Sequence, residues 1–180
     1  MSPKKMVELG YITARFSDRP LDLREDGKGQ NQQVGFDVRV HSISRGAGVG
    51  YLMVNEKKLP NYIPLVTNPD NAFVLQPGAY AVDCMEDVVI PADHEGRVIH
   101  RSTVNRCFCF FTGSVYDPGY KGVVAGTLYV FNPFVIEYGA RIGQFEITPK
   151  EQASLYNGDY QNATSSREFA SKTFTTDKSL

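Results

Sequence analysis

Glycine and proline punctuate this chain so evenly that little room is left for anything but short extended pieces. Its 180 residues include 16 Gly and 10 Pro, spread rather than clustered. Proline can neither continue a helix nor donate to a central ladder, and glycine frees the backbone for turns. What lies between them is β-branched or alternating. Residues 34–40 read as a strand with Phe36, Val38 and Val40 on one face. Residues 79–82 and 88–90 read as two short strands, with Met85, Glu86 and Asp87 as the turn between them. Residues 97–99, 107–111, 123–131 and 142–147 continue the pattern. Many short strands with regular turn signals predict an all-β sandwich or barrel. Helix is expected only over residues 3–10 and 150–155.

The composition narrows the function. With 19 basic and 20 acidic residues the formal net charge is -1. Polymeric nucleic acid as a partner is therefore not expected, because it demands many phosphate-neutralising side chains. No apolar run approaches the roughly 20 residues of a membrane span, so no membrane partner is expected. The basic start, Lys4 and Lys5, leads into Glu8 and Gly10 rather than an apolar stretch. With no secretory signal and three unframed cysteines, the expectation is the cytoplasm, or the host cytoplasm for a viral source. From about Tyr156 the chain turns polar and turn-prone. Residues 1–150 therefore read as one β-barrel domain, and 151–180 as a C-terminal arm, either a frayed end or a mobile lid.

Common catalytic signatures are missing. A zinc deaminase needs His-x-Glu and Pro-Cys-x-x-Cys, whereas this chain has His94-Glu95 and Cys107-Phe108-Cys109. On a strand the two cysteines would share one face, as buried core thiols. Gly46-Ala47-Gly48-Val49-Gly50 lacks a third dinucleotide-loop glycine and a following helix, so it reads as a flexible loop.

Three polar segments stand out against this background. Residues 100–106 hold Arg101, Ser102, Thr103 and Arg106, a good cradle for an anion, since guanidinium groups grip phosphate oxygens bidentately. Residues 113–122 set one carboxylate, Asp117, between Tyr116 and Tyr120; it could activate a water while the rings stack on a base or sugar. The same Asp-Pro-Gly is also ordinary turn chemistry. Residues 132–145 carry Arg141 and Gln144 after a glycine turn.

In this order the segments resemble the motifs of the trimeric dUTPase / dCTP deaminase superfamily. Val34-Gly35-Phe36-Asp37-Val38-Arg39 is similar to its first motif, and Arg101-Ser102-Thr103 to its Arg-Ser-Ser phosphate motif. Asp117-Pro118-Gly119-Tyr120-Lys121-Gly122 is similar to its substrate hairpin, and Gly139-Ala140-Arg141-Ile142-Gly143-Gln144 to its Gly-x-Arg-Ile-x-Gln motif. Residues 75–78 and 90–93 also resemble the approach to the phosphate motif, so the likeness spans about residues 35–161.

The resemblance implies a distorted jelly-roll-like β-barrel of the dUTPase type with little helix, assembled as a homotrimer with sites between subunits. It implies hydrolysis of deoxyuridine triphosphate to the monophosphate and pyrophosphate, with Mg²⁺ bound mainly through the substrate's phosphates. Asp117 would be the catalytic base. Arg101, Ser102, Thr103, Arg106, Arg141 and Gln144 would hold the phosphates of a deoxypyrimidine nucleoside triphosphate. Tyr116 and Tyr120 would pack on the nucleoside, with Tyr160 and Gln161 supplied by the arm. The Tyr160-Gln161 tail looks closer to the dCTP deaminase branch, but that branch's catalytic glutamate falls on Tyr129 here. A deaminase with a substituted proton shuttle, and a non-catalytic nucleotide-binding or regulatory relative, are the alternatives. Against the family pattern the strand before Asp117 is about two residues short and the strand after it about two residues long.

Overall fold

The computed structural model describes residues 1–151 and 155–175. Alternation along the chain becomes a closed antiparallel barrel. The elements in order are α1 (Pro3–Glu8), β1 (Ile12–Ala14), β2 (Phe36–Ala47), β3 (Tyr51–Leu52), β4 (Glu56–Lys58), β5 (Asn61–Pro64), β6 (Ala72–Leu75), β7 (Gly78–Val89) and β8 (His94–His100). Then follow α2 (Ser102–Arg106), β9 (Cys109–Tyr116), β10 (Lys121–Val130), β11 (Phe134–Glu137), β12 (Arg141–Pro149) and, after a short 3-10 turn over Ser166–Phe169, β13 (Thr173–Thr175). The main sheet runs β1-β7-β10-β9-β8-β12-β2-β5, and an extra β2–β7 pairing closes six of these strands on themselves. Closure removes the unpaired edges that a small all-β chain would otherwise expose. Phe36, Val38 and Val40 are fully buried, as the alternation requires, and pack with Phe111, Leu128, Ile142, Phe145 and Ile147. Among the described residues no helix is long and apolar enough to cross a membrane.

The short N-terminal helix is present as α1, capped by Ser2. Three other expectations are corrected. Met85-Glu86-Asp87 is not a turn but the interior of the continuous strand β7, and Glu86 is fully buried. The carboxylate is tolerated because Arg39 reaches it through its backbone N–H at 2.8 Å and Nε at 2.7 Å, and Gln30 Nε2 adds a third donor at 2.8 Å. Burial still pushes its pKa up, against those bonds. Cys107 and Cys109 do not share a buried face: Cys107 ends α2 and is exposed, whereas Cys109 enters β9 buried. Phe108 between them has φ of 55°, a left-handed break that separates helix from strand. Half of the helix expected over residues 150–155 falls on 152–154, outside the described residues; Lys150, Glu151 and Leu155 are not helical. Gly48 in the glycine-rich stretch does mark a turn, with φ of 78° just after β2.

Candidate active site

The six phosphate-gripping candidates gather at one end of the barrel. Arg101 leaves β8 to start α2, whose first turn presents exposed Ser102 and Thr103 and whose last residue is exposed Arg106. Gln144 on β12 pairs across the ladder with Asp37 on β2. Asp37, fully buried, is the hub: Arg101 Nε and Arg141 Nη1 reach its Oδ2 at 3.0 and 3.1 Å. Its Oδ1 is buried with the Gln144 amide close by but no well-formed hydrogen bond among the described residues. Burial raises the Asp37 pKa above the ordinary carboxylate value, outweighing the two guanidinium groups. Arg141 is further committed to Gly29 O at 2.6 Å. Arg101 and Arg141 are thus held in place by a buried acid, and Arg106 is the more open cation. The hub was missed in the sequence, where Asp37 looked like one more residue of a motif strand.

The other candidates lie elsewhere. Asp117, Tyr116, Tyr120 and Tyr160 line a cavity of about 470 Å³, which Ser114 and Ala125 also border. Its origin is a split ladder. β9 and β10 pair from Cys109–Val130 to Thr112–Thr127 and then part, β9 pairing with β8 and β10 following β7 across a register shift between Val123 and Ala125 in which β7 carries the two extra residues. Tyr116 fills the split from the core side: its hydroxyl donates to Ala125 O at 2.9 Å and accepts from Ala125 N at 3.0 Å. Its ring, packed edge-on against Phe145 and Tyr120, is buried, so its pKa is raised far above the phenol range. Tyr116 therefore forms the floor of the cavity rather than a free stacking platform. Removing its hydroxyl with Tyr116→Phe would leave two buried backbone groups unpaired and is expected to cost about 2–4 kcal/mol, read from the urea midpoint at constant slope.

The turn at the mouth has Tyr120 N bonded to Asp117 O at 3.0 Å, with Gly119 at φ of 82°. Gly122, at φ of 153°, has Tyr120 Oη only 2.6 Å from where a Cβ would sit. Asp117 itself is exposed and is the one carboxylate among the lining residues. Gln161 does not line the cavity; it brackets the turn, accepting from Lys121 N and donating to Gly119 O, each at 3.0 Å. Tyr160 packs edge-on against Phe169, and Lys57 lies 5.0 Å from its ring centroid and 2.8 Å from Asp159. Sequence reasoning gave no signal for Leu59, just before β5, and Tyr62 on β5, which wall the cavity from a part of the chain distant in sequence.

The two groups are far apart within one chain. Tyr116 pairs with Gly96 near one end of β8, while Arg101 follows His100 at the other. Asp117 therefore stands six residues from Arg101 along the sheet, about 20 Å at roughly 3.3 Å per residue.

Comparison with known proteins bears on this geometry. A family model described as dCTP deaminase-like matches residues 11–149. A probable deoxyuridine 5'-triphosphate nucleotidohydrolase of Aeropyrum pernix is 36% identical over 143 residues, covering 77% of this chain and 89% of its own. The deoxyuridine 5'-triphosphate nucleotidohydrolase of Methanocaldococcus jannaschii is 35% identical over 136 residues, 73% of this chain and 87% of its own. Among solved structures, the 2'-deoxycytidine 5'-triphosphate deaminase of Agrobacterium tumefaciens superposes with a TM-score of 0.59 at 19% identity, over 80% of this chain and 44% of that one. A dUTPase of Staphylococcus aureus phage phi11, described with a structural Mg(II) ion, has a TM-score of 0.50 at 13% identity, over 82% and 95% of the two chains.

Proposed function

The chain belongs to the dCTP deaminase-like family, and from that premise we propose that it hydrolyses deoxyuridine triphosphate to the monophosphate and pyrophosphate. The observation that carries the reading is the cavity in the split hairpin with Asp117 as its one lining carboxylate. Asp117 orients a water and takes its proton as the water attacks the α-phosphorus; a base of this kind must sit within hydrogen-bond reach. The nucleoside enters the split, where backbone groups of the Gly113–Asp117 stretch read the pyrimidine edge and Tyr120 packs on the deoxyribose. Arg101, Ser102, Thr103, Arg106, Arg141 and Gln144 hold the phosphates and balance the charge that develops there. Among the described residues no group of three or more His, Cys, Asp or Glu side chains forms a metal cage. Mg²⁺, when bound, would be held mainly through the substrate's phosphate oxygens and would supply charge neutralisation there.

Asp117 and Arg101 cannot touch one substrate molecule from about 20 Å apart, so each site takes its base from one subunit and its phosphate grip from another. A homotrimer provides this. The outward face of β8, β9 and β10 supports such an assembly: Ile99, Phe110 and Tyr129 are 42–47% exposed on one side of the sheet, and Phe108 and Phe131 at its end are 66% exposed.

Deamination is disfavoured because Tyr129, at the position of the deaminase glutamate, offers no carboxylate to move protons. One incubation tests the reading. With Mg²⁺ and each deoxynucleoside triphosphate in turn, pyrophosphate is expected from dUTP and no ammonia from dCTP. Ammonia from dCTP, or retained nucleotide without turnover, would replace the hydrolase by one of the two alternatives.

A further inference from the structure

We propose that Asp83 is a positioning residue that seats the C-terminal segment on the cavity holding Asp117, an inference that rests on the hydrolase reading above. Asp83 lies within β7 and is 2% exposed. Its carboxylate accepts four hydrogen bonds. Ser42 Oγ and Ser165 Oγ reach Oδ2 at 3.1 and 2.7 Å, while Ser166 N and Ser166 Oγ reach Oδ1 at 2.9 and 2.7 Å. Among the described residues it has no ion-pair partner.

A buried carboxylate is tolerable only when donors replace its water. Three of the four donors come from the C-terminal segment, so the docked segment completes the shell of this carboxylate. Asp83 thus adds a directional anchor to the apolar packing of Ala163 and Phe169 on Val123. The neighbouring strand position reinforces it: Arg15 donates to Cys84 O and to Thr164 O.

Fixing Ser165 and Ser166 sets the register of what precedes them. Ala163 O accepts from Val123 N at 2.9 Å, and Asn162 N donates to Lys121 O at 2.7 Å. The Gln161 side chain then brackets the turn that presents Asp117. Ala163, Ser166 and Phe169 all border the cavity. The anchor thus completes the wall around the nucleoside while touching no reacting atom. Its loss should weaken capture of the substrate and spare the chemical step.

The test is the double variant Ser165→Ala/Ser166→Ala, which leaves the barrel's own side chains intact. Without nucleotide, the Val123 and Asn162 amides should exchange with deuterium roughly tenfold faster, while the β8–β12 ladder is unchanged. A Ser165→Thr/Ser166→Thr pair, which keeps both hydroxyls, should restore protection. Asp83→Asn should act in the same direction as the alanine pair. In kinetics the alanine pair should raise KM for dUTP roughly tenfold with kcat held within about threefold. Unchanged exchange at Val123 and Asn162, or a loss confined to kcat, would overturn the proposal. If the unaltered protein turns over no nucleotide, the hydrolase reading fails separately, and the exchange experiment still decides whether Asp83 holds the tail.

Discussion

Replacing Asp117 by asparagine should lower dUTP turnover by about 10²–10⁴-fold while leaving the melting temperature within about 2 °C. The asymmetry follows from where the side chain sits. Asp117 is exposed, and its side chain makes no hydrogen bond or ion pair among the described residues. Its backbone carbonyl closes the turn with Tyr120 N, a bond that asparagine keeps. Asparagine also matches aspartate in size and in its preference for turns. What changes is the ability to take a proton. The loss should fall on kcat, because the group acts as the water attacks rather than when the nucleotide binds. Steady-state kinetics over a range of dUTP concentrations, together with a thermal melt, separates the two effects. Normal turnover in the variant would remove Asp117 from the mechanism. A melting temperature lower by 10 °C would instead make it a structural residue of the turn.

The barrel and the candidate site differ in how far they could be read from residues alone. Alternation at Phe36, Val38 and Val40 was enough to place that strand's core face, because strand periodicity is a local property. Glu86 defeated the same reasoning. Two adjacent acids, Glu86 and Asp87, read as a turn unless their partners are known, and the Glu86 partners Gln30 and Arg39 lie 56 and 47 residues away. The motif residues could be named from order alone, and the candidates for phosphate binding lie at one end of the barrel. Their hub could not be named: that Arg101 and Arg141 share one oxygen of Asp37 depends on which strands meet, and separations of 64 and 104 residues leave no local trace. Tyr116 was legible as an aromatic beside Asp117, but its role in filling the split ladder depends on its meeting Ala125 where β9 and β10 have parted. The arm shows the same limit. Residues 156–175 look like a polar tail in sequence, yet Ser165 and Ser166 meet a carboxylate more than 80 residues away.

Two defective proteins should make an active one. If each site takes Asp117 from one subunit and Arg106 from its neighbour, the lesions Asp117→Asn and Arg106→Ala can be separated by assembly. Arg106 suits this role because it is exposed at the end of α2 and lies outside the Asp37 ion-pair hub, so its removal should not disturb the fold. In a closed ring of three, any mixed assembly, two of one variant with one of the other, has a single boundary at which an intact Asp117 faces an intact Arg106. One site in three is then whole, and co-expressed subunits isolated through two different tags should show about one third of the unaltered activity. Each parent alone should sit at least roughly tenfold lower, since every one of its sites carries a lesion. A site confined to one chain predicts the opposite: every site in the mixture keeps one defect, and mixing restores nothing. The approximately 20 Å between Asp117 and Arg101 along the sheet favours the first outcome, because a water-activating base and the groups that grip the same phosphate must meet within hydrogen-bond reach of a single substrate.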